Sequence, residues 1–285
     1  MSGRNFPKMV ILLLVAADIL IWRSIFFDGK LVQPEFYFFD VGQGDSQMVV
    51  LPGNVKVLID GGPDSKVLDA MSRNLKFTDK YLDLIILTHP QLDHFGGLID
   101  VINNFQVGAF IGAGRKGESL AYRNLSDAIL AKKIPYIALK EGDAIKYKDY
   151  IFQILSPSYE DLLSAELNDT SLVMMLKSPE LKLLYTGDSG RNIEKELMKR
   201  YDLSADVLKI GHHGSKNASA AEFLRAVAAK VSIIGVGKNN YGHPSKETLR
   251  RLADLRAAVF RTDQDGTLKL IFQEGKIKVF RSPTR

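Results

Sequence analysis

The sequence predicts a mixed α/β fold in which two β-sheets are covered by helices, built as one domain over residues 35–285. Three observations point there. The first strands are joined by tight turns rich in Gly, Asp and Asn, which implies antiparallel pairing. From Leu82 onward short apolar runs alternate with helical patterns. No low-complexity linker and no tandem repeat follows Pro34, so nothing divides the remaining chain.

The elements follow in order. Phe36-Tyr37-Phe38-Phe39 is an aromatic strand that stops at the turn Asp40-Val41-Gly42-Gln43-Gly44-Asp45. Gln47-Met48-Val49-Val50 is the second strand. Pro52-Gly53-Asn54 turns the chain into Val55-Lys56-Val57-Leu58-Ile59, the third, which ends in Asp60-Gly61-Gly62. Val67, Leu68, Met71 and Leu75 recur at helical spacing. Residues 84–88 then read as strand, 97–104 as helix, 107–111 as strand and 119–133 as helix. Strands are expected at 134–139, 144–147 and 150–155, and a hairpin at 171–176 and 181–185 across Ser178-Pro179-Glu180. Helices at 193–201, 221–230 and 246–255 alternate with strands at 207–210 and 231–236. Strands at 259–261, 267–272 and 276–280 close the chain.

Residues 1–34 read as a separate segment. Arg4 and Lys8 precede the apolar run from Met9 to Ala17, which resumes after Asp18 as Ile19-Leu20-Ile21-Trp22. A basic start followed by an apolar stretch is the pattern of an export signal or a membrane anchor. The run before Arg23 is short for a bilayer span and Asp18 is costly in lipid. An amphipathic or buried helix is therefore the structural alternative. The positive-inside rule would keep Arg4 and Lys8 inside and leave the domain outside. The expectation is an extracytoplasmic protein, exported or anchored in a membrane by this segment.

The 285 residues are 46% hydrophobic, enough for one large core or two small ones. The net charge of +5 permits a polyanionic partner without demanding one. No motif for a protein partner is present. The chain has no cysteine, which excludes a disulfide framework and a Cys-based zinc site. Any metal must be held by His, Asp, Glu or neutral oxygens.

All five histidines lie in Gly- or Pro-flanked turns. His89-Pro90-Gln91-Leu92-Asp93-His94 directly follows the run Leu84-Ile85-Ile86-Leu87-Thr88. His212 and His213 lie in Gly211-His212-His213-Gly214-Ser215, and His243 in Tyr241-Gly242-His243-Pro244-Ser245. Two imidazoles and a carboxylate on one strand-to-helix turn are ligand types for zinc and similar ions. Asp40, Asp45, Asp60, Asp93 and Asp188 also sit at or just beyond strand ends, where ligands meet in layered α/β folds. The plainer readings are helix capping by Asp93, a polar turn at His212-His213, and turn capping by Asp40 and Asp45.

Taken together, these segments resemble the metallo-β-lactamase superfamily. The likeness is nearest to the hydrolase domain of ComEC-type DNA-uptake proteins and its stand-alone relatives. The matching stretches include Phe39-Asp40-Val41-Gly42-Gln43-Gly44-Asp45-Ser46, Leu58-Ile59-Asp60-Gly61-Gly62, Thr88 to Gly97, Leu184-Tyr185-Thr186-Gly187-Asp188, and Asp206 to Ser215. The resemblance implies a four-layer αββα sandwich with a divalent metal at one edge of the sheets. His89, Asp93, His94, Asp188 and His212 match ligand positions. Asp93 would also orient the attacking water, and His243 would donate a proton to the leaving group. Asp45, Asp60 and His213 would support the ligands from behind. Two departures stand out. Gln91 occupies a position usually held by His or Asp, and no histidine lies between His94 and Asp188. Asn168 falls in a matching Asn-rich segment and could add an oxygen. One cation position is thus well provided, by Asp93, His94, Asp188 and His212; a second, at His89 and Gln91, is less so. Zinc suits these ligands, and so does manganese.

The leading expectation is a metal-dependent phosphodiesterase or nuclease of ComEC type, acting outside the membrane on DNA, with single-stranded DNA as the candidate substrate. The alternatives are a cell-envelope phosphoesterase or other small-ester hydrolase, and a nucleic-acid-binding module with little catalysis.

Overall fold

Strand side chains here meet a different neighbour on each face. In β1 (Glu35–Phe38), Phe36 and Phe38 enter the space between two sheets while Tyr37 packs under helices. Both faces are apolar because both are covered. The computed structural model describes residues 6–27, 33–76, 78–255 and 257–282. The same division runs through β2 (Gln47–Leu51), β3 (Val55–Ile59) and β4 (Tyr81–Ile86). Val49, Val57, Ile59 and Ile86 face inward; Met48, Val50, Leu58 and Ile85 face the helices.

The first sheet is completed by β5 (Gln106–Gly112) and β6 (Tyr136–Ala138) on one side. On the other lie β14 (Thr267–Gln273) and β15 (Lys276–Ser282), giving the order β15-β14-β1-β2-β3-β4-β5-β6. The second sheet comprises β7 (Ala144–Tyr147), β8 (Tyr150–Ser156), β9 (Val173–Lys177), β10 (Lys182–Tyr185), β11 (Val207–Lys209), β12 (Val231–Ile234) and β13 (Ala258–Arg261). Its order is β13-β12-β11-β10-β9-β8-β7. Phe152, Met174, Leu183, Tyr185 and Ile233 from this sheet meet Phe36 and Phe38 in the shared inner core.

Helices α2 (Lys66–Asn74), α4 (Leu98–Asn104) and α5 (Leu120–Ala131) cover the outer face of the first sheet through Val67, Met71, Leu98, Val101 and Leu125. Helices α6 (Arg191–Arg200), α7 (Ala221–Val227) and α8 (Lys246–Asp254) cover the second through Ile193, Leu197, Phe223, Leu224 and Leu252. The four layers are those expected. Strands β3 to β6 run parallel, as do β10 to β13. Parallel strands end at a common edge, so the loops that follow them gather there.

Boundaries moved where local chemistry intervened. The helix expected at 221–230 ends at Val227 because Ala228 turns left-handed (φ 51°), its N–H bonding to the Leu224 carbonyl. The helix expected from 193 begins at Arg191, and the strand expected at 231–236 ends at Ile234. Short helices α3 (Leu92–Phe95) and α9 (Thr262–Asp265) escaped the pattern, since four residues are too few for periodicity to show. At the N-terminus, α1 (Phe6–Phe27) carries exposed Leu12, Leu14, Ile19 and Leu20. Among the described residues, no helix is long and apolar enough to cross a membrane.

Candidate metal centre

Asp60 organises the edge. It ends β3 with a left-handed backbone (φ 57°), its N–H bonding to the Ile86 carbonyl. Its Oδ1 accepts the Thr88 N–H at 2.8 Å. Its Oδ2 accepts the Thr88 hydroxyl at 2.8 Å and His94 Nδ1–H at 2.9 Å. With that proton fixed on Nδ1, His94 presents Nε2 to the centre. The Thr88 hydroxyl proton is already given to Asp60, so its oxygen accepts from His89 Nδ1–H at 3.1 Å. His89 Nε2 is then free as well. His213 Nδ1–H donates to the Gly235 carbonyl at 2.8 Å, turning a third Nε2 inward.

Asp188, just past β10, receives these rings. Its Oδ1 lies 3.4 Å from His94 Nε2 and its Oδ2 3.6 Å from His213 Nε2. Asp93 Oδ2 lies 3.2 Å from His213 Nε2. His89 Nε2, His94 Nε2, both Asp188 oxygens and Asp45 Oδ1 are buried with no hydrogen-bond partner. Folded proteins leave few such atoms unpaired. Here the four on His89, His94 and Asp188 converge, and their chemistry is the N/O donor set of a divalent cation. Among the described residues, four sets of ligand atoms lie within 4.8 Å of one another: His89, His94 and Asp188; Asp93, His94 and His213; Asp45, Asp60 and His94; Asp45, Asp188 and His213. The residues present therefore fit a metal.

The charges agree. Asp45, Asp60, Asp93 and Asp188 bring four carboxylates together, three of them fully buried. Lys209 answers one, its Nζ lying 2.5 Å from Asp45 Oδ2. Burial works against a charge on His94, yet Asp188 and Asp60 hold its pKa well above the usual value. Burial is likewise outweighed at His213, which Asp188 and Asp45 push up to about 10. Burial and the neighbouring His94 push His89 down to about 3. At Asp93, burial is overcome by the His213 hydrogen bond and the nearby imidazoles, which bring its carboxyl to about 2. Without a cation, protons on His94 and His213 balance the carboxylates; a divalent ion would displace them.

The five expected ligands do not all occupy equivalent places. His89, Asp93, His94 and Asp188 converge, and His213 joins them. His212 lies farther out, 30% exposed, with Nε2 3.8 Å from Asp188 Oδ2. Its Nδ1 accepts from Asn168 Nδ2 at 3.2 Å, which leaves the neutral ring's proton on Nε2. The geometry thus gives His213 the inner place expected for His212. Both residues have left-handed backbones (φ 49° and 51°), a strained pair that turns the rings 77° apart. Gln91 Nε2 donates to Asn168 Oδ1 at 2.5 Å, so Gln91, Asn168 and His212 form a strap across the mouth. Asp60 holds the ligand turn, and Asp45 stands behind His213, 3.5 Å from its Nδ1. Asp40 caps its own turn through the Gly42 N–H. Sequence reasoning missed Lys209. A lysine inside the apolar strand Val207-Leu208-Lys209-Ile210 was the available signal.

The mouth is a cleft of about 380 Å³ lined by Gln43, Gln91, Asp93, His212, Tyr241 and His243. His243 stands edge-on to His212, ring centroids 5.4 Å apart. Burial, then His212 and His213, pushes its pKa below the usual value. A neutral imidazole there offers an N–H hydrogen bond rather than a full positive charge.

Residues 40–238 match the sequence profile of the metallo-beta-lactamase superfamily. ComE operon protein 3 of Bacillus subtilis is 32% identical over 249 residues, covering 81% of this chain and 32% of the relative. Recombination protein 2 of Haemophilus influenzae is 26% identical over 255 residues, covering 86% of this chain and 30% of the relative. The chain thus spans about a third of the length of these curated relatives. Among solved structures, the metallo-beta-lactamase fold protein YhfI from Bacillus subtilis superposes with a TM-score of 0.57 at 13% identity, covering 83% of this chain and 99% of that one. This last likeness concerns the fold alone.

Proposed function

The chain belongs to the metallo-β-lactamase superfamily of metal-dependent hydrolases, and from that premise we propose that it hydrolyses phosphodiesters as a nuclease acting on DNA. One observation carries the reading: His89, His94 and Asp188 leave buried, unpaired donor atoms beside a cleft that Asp93 enters. The ComEC-type motifs and the likeness to a recombination protein favour DNA as the substrate.

His89, His94, His213, Asp93 and Asp188 would hold the ion, zinc or manganese. When bound, such an ion acidifies water and offsets negative charge developing on a phosphoryl oxygen. The chain's own groups do the rest. Asp93, 32% exposed and ionised, accepts a hydrogen bond from the attacking water and aims it at phosphorus. His243, which also lines the cleft, donates a hydrogen bond toward the leaving oxygen. The Gln91–Asn168–His212 strap limits the width of the mouth. The exposed leucines and isoleucines of α1 support attachment to a membrane surface, and the basic residues ahead of the apolar run favour the extracytoplasmic side for the domain.

Metal-loaded protein should cleave both single-stranded DNA and bis-p-nitrophenyl phosphate. Asp93→Ala should lower turnover by about 100-fold or more. Tight DNA binding with no turnover of either substrate would replace the enzyme with a binding module. Turnover confined to small esters would make it a cell-envelope phosphoesterase.

A further inference from the structure

A second groove lies beside the metal centre and takes no part in it. It measures about 680 Å³, and Arg115, Lys116, Lys140, Tyr159 and Leu162 contribute to its lining. Its position follows from topology. β4, β5 and β6 are parallel neighbours, registered through Ile86 with Ile111 and Gly112 with Ala138. The loop after β4 carries His89 and Asp93, the loop after β5 carries Arg115 and Lys116, and the turn after β6 carries Lys140. Adjacent strands lie about 4.8 Å apart, so the cations stand about one and two strand widths along the edge from the ligand turn.

The groove and the centre share walls. A Cβ on Gly117 would lie 3.2 Å from the Pro90 side chain, so the β5 loop packs on the ligand turn itself. The segment after β8 carries Tyr159 and Leu162 into the groove and, a few residues on, Asn168 to Gln91 at the mouth.

The chemistry is that of an anion path with a stacking platform. Among the described residues, the Arg115, Lys116 and Lys140 side chains enter no ion pair. Arg115 Nε makes no hydrogen bond within the chain, so the guanidinium is not committed elsewhere in the fold. Glu118 and Asp143 also line the groove, but Asp143 Oδ2 is taken by the Lys140 N–H of its own turn. Tyr159 is 69% exposed at the rim; across the centre Tyr241, 76% exposed, stands at the mouth of the metal cleft. A basic track with exposed aromatic rings suits unpaired bases on a phosphate backbone. A duplex would hide those base faces.

We infer that this groove carries one arm of a single-stranded polynucleotide while a phosphodiester several nucleotides away lies in the metal cleft. The inference rests on the phosphodiesterase reading for what happens at the centre, though not for binding. Labelled dT12 is the probe, with metal-loaded Asp93→Ala protein as the uncut reference. Adding Arg115→Gln, Lys116→Gln and Lys140→Gln should weaken Kd about tenfold or more. The dependence of log Kd on log salt should become shallower by about 2, as expected for three lost contacts to a single strand. Tyr159→Ala should weaken Kd about fivefold, and a blunt duplex of the same length should compete poorly. In native protein the triple substitution should lower dT12 cleavage at least tenfold more than turnover of bis-p-nitrophenyl phosphate. The exposed pair Lys116→Gln and Lys140→Gln, tested alone, serves if the triple variant does not fold. An unchanged Kd and salt slope would overturn the groove assignment while leaving the hydrolase intact. Groove-dependent binding of dT12 with no cleavage of any substrate would leave the groove and remove the hydrolase.

Discussion

Glu194 and Asp188 are both carboxylates about 1% exposed, and they behave in opposite ways. Glu194, on α6, accepts the Ser219 and Ala220 N–H groups at 2.5 and 2.9 Å, so each oxygen has a partner at the start of α7. Asp188 accepts no hydrogen bond on either oxygen and faces imidazoles whose Nε2 atoms are turned toward it. Burial of charge therefore does not by itself mark a site. What separates the two places is whether the lone pairs are used within the chain. Glu194 completes the fold, and Asp188 waits for something the chain does not supply.

That contrast can be tested from its largest consequence downward. Stripping the metal with a chelator should destabilise the protein, since an ion present at about 1,000 times its Kd contributes about 4 kcal/mol. Calorimetry with and without added zinc or manganese reads this directly, and an unchanged Tm would place Asp188 with Glu194 after all. Glu194 should show its own signature with pH. Burial raises its pKa to about 7, against the pull of the Ala220 and Ser219 N–H groups. The folded chain keeps a proton there that the unfolded chain releases near 4.5. The resulting stability is full below pH 4.5 and drains as pH rises through 7, on the order of 3 kcal/mol in all. The Tm of the native protein relative to Glu194→Gln should accordingly fall between pH 4.5 and 8.

Glu194→Ala should cost about 2 kcal/mol, because two buried N–H groups lose their acceptor. Its metal content should match the native protein's; loss of metal would show the two clusters to be one. The smallest effect separates neighbouring histidines. His213→Ala should weaken metal affinity about tenfold more than His212→Ala, measured by competition with a chromogenic chelator. The reverse order would return the inner position to His212.

Much of this was readable in the residues. The layers follow from apolar strands flanked by amphipathic helices, and the ligand turn from His89, Asp93 and His94 placed directly after a strand. Asp60 and Asp188 were legible for the same reason, at the ends of β3 and β10. The order of His212 and His213 was not. It depends on two consecutive left-handed residues and on the Gly235 carbonyl, a partner 22 residues away that no local pattern announces. The same holds for Gln91, whose amide reaches Asn168 across 77 residues of chain. Lys209 stood out only as a charge within an apolar strand; its partner Asp45 lies on a turn far away in the chain, which the strand pattern does not announce.

Gly235 gives this centre a member without a side chain. A Cβ there would collide with Asp45 Oδ1 and come within 3.3 Å of the Lys209 stem. An alanine scan that skips glycines would pass over it, and one aimed at polar groups would never select it. Yet a single methyl at that point would press on the aspartate, the lysine and the carbonyl that steers His213 at once. In a random mutagenesis screen, position 235 should therefore rank among the inactivating hits, indistinguishable by phenotype from the residues that bind the ion.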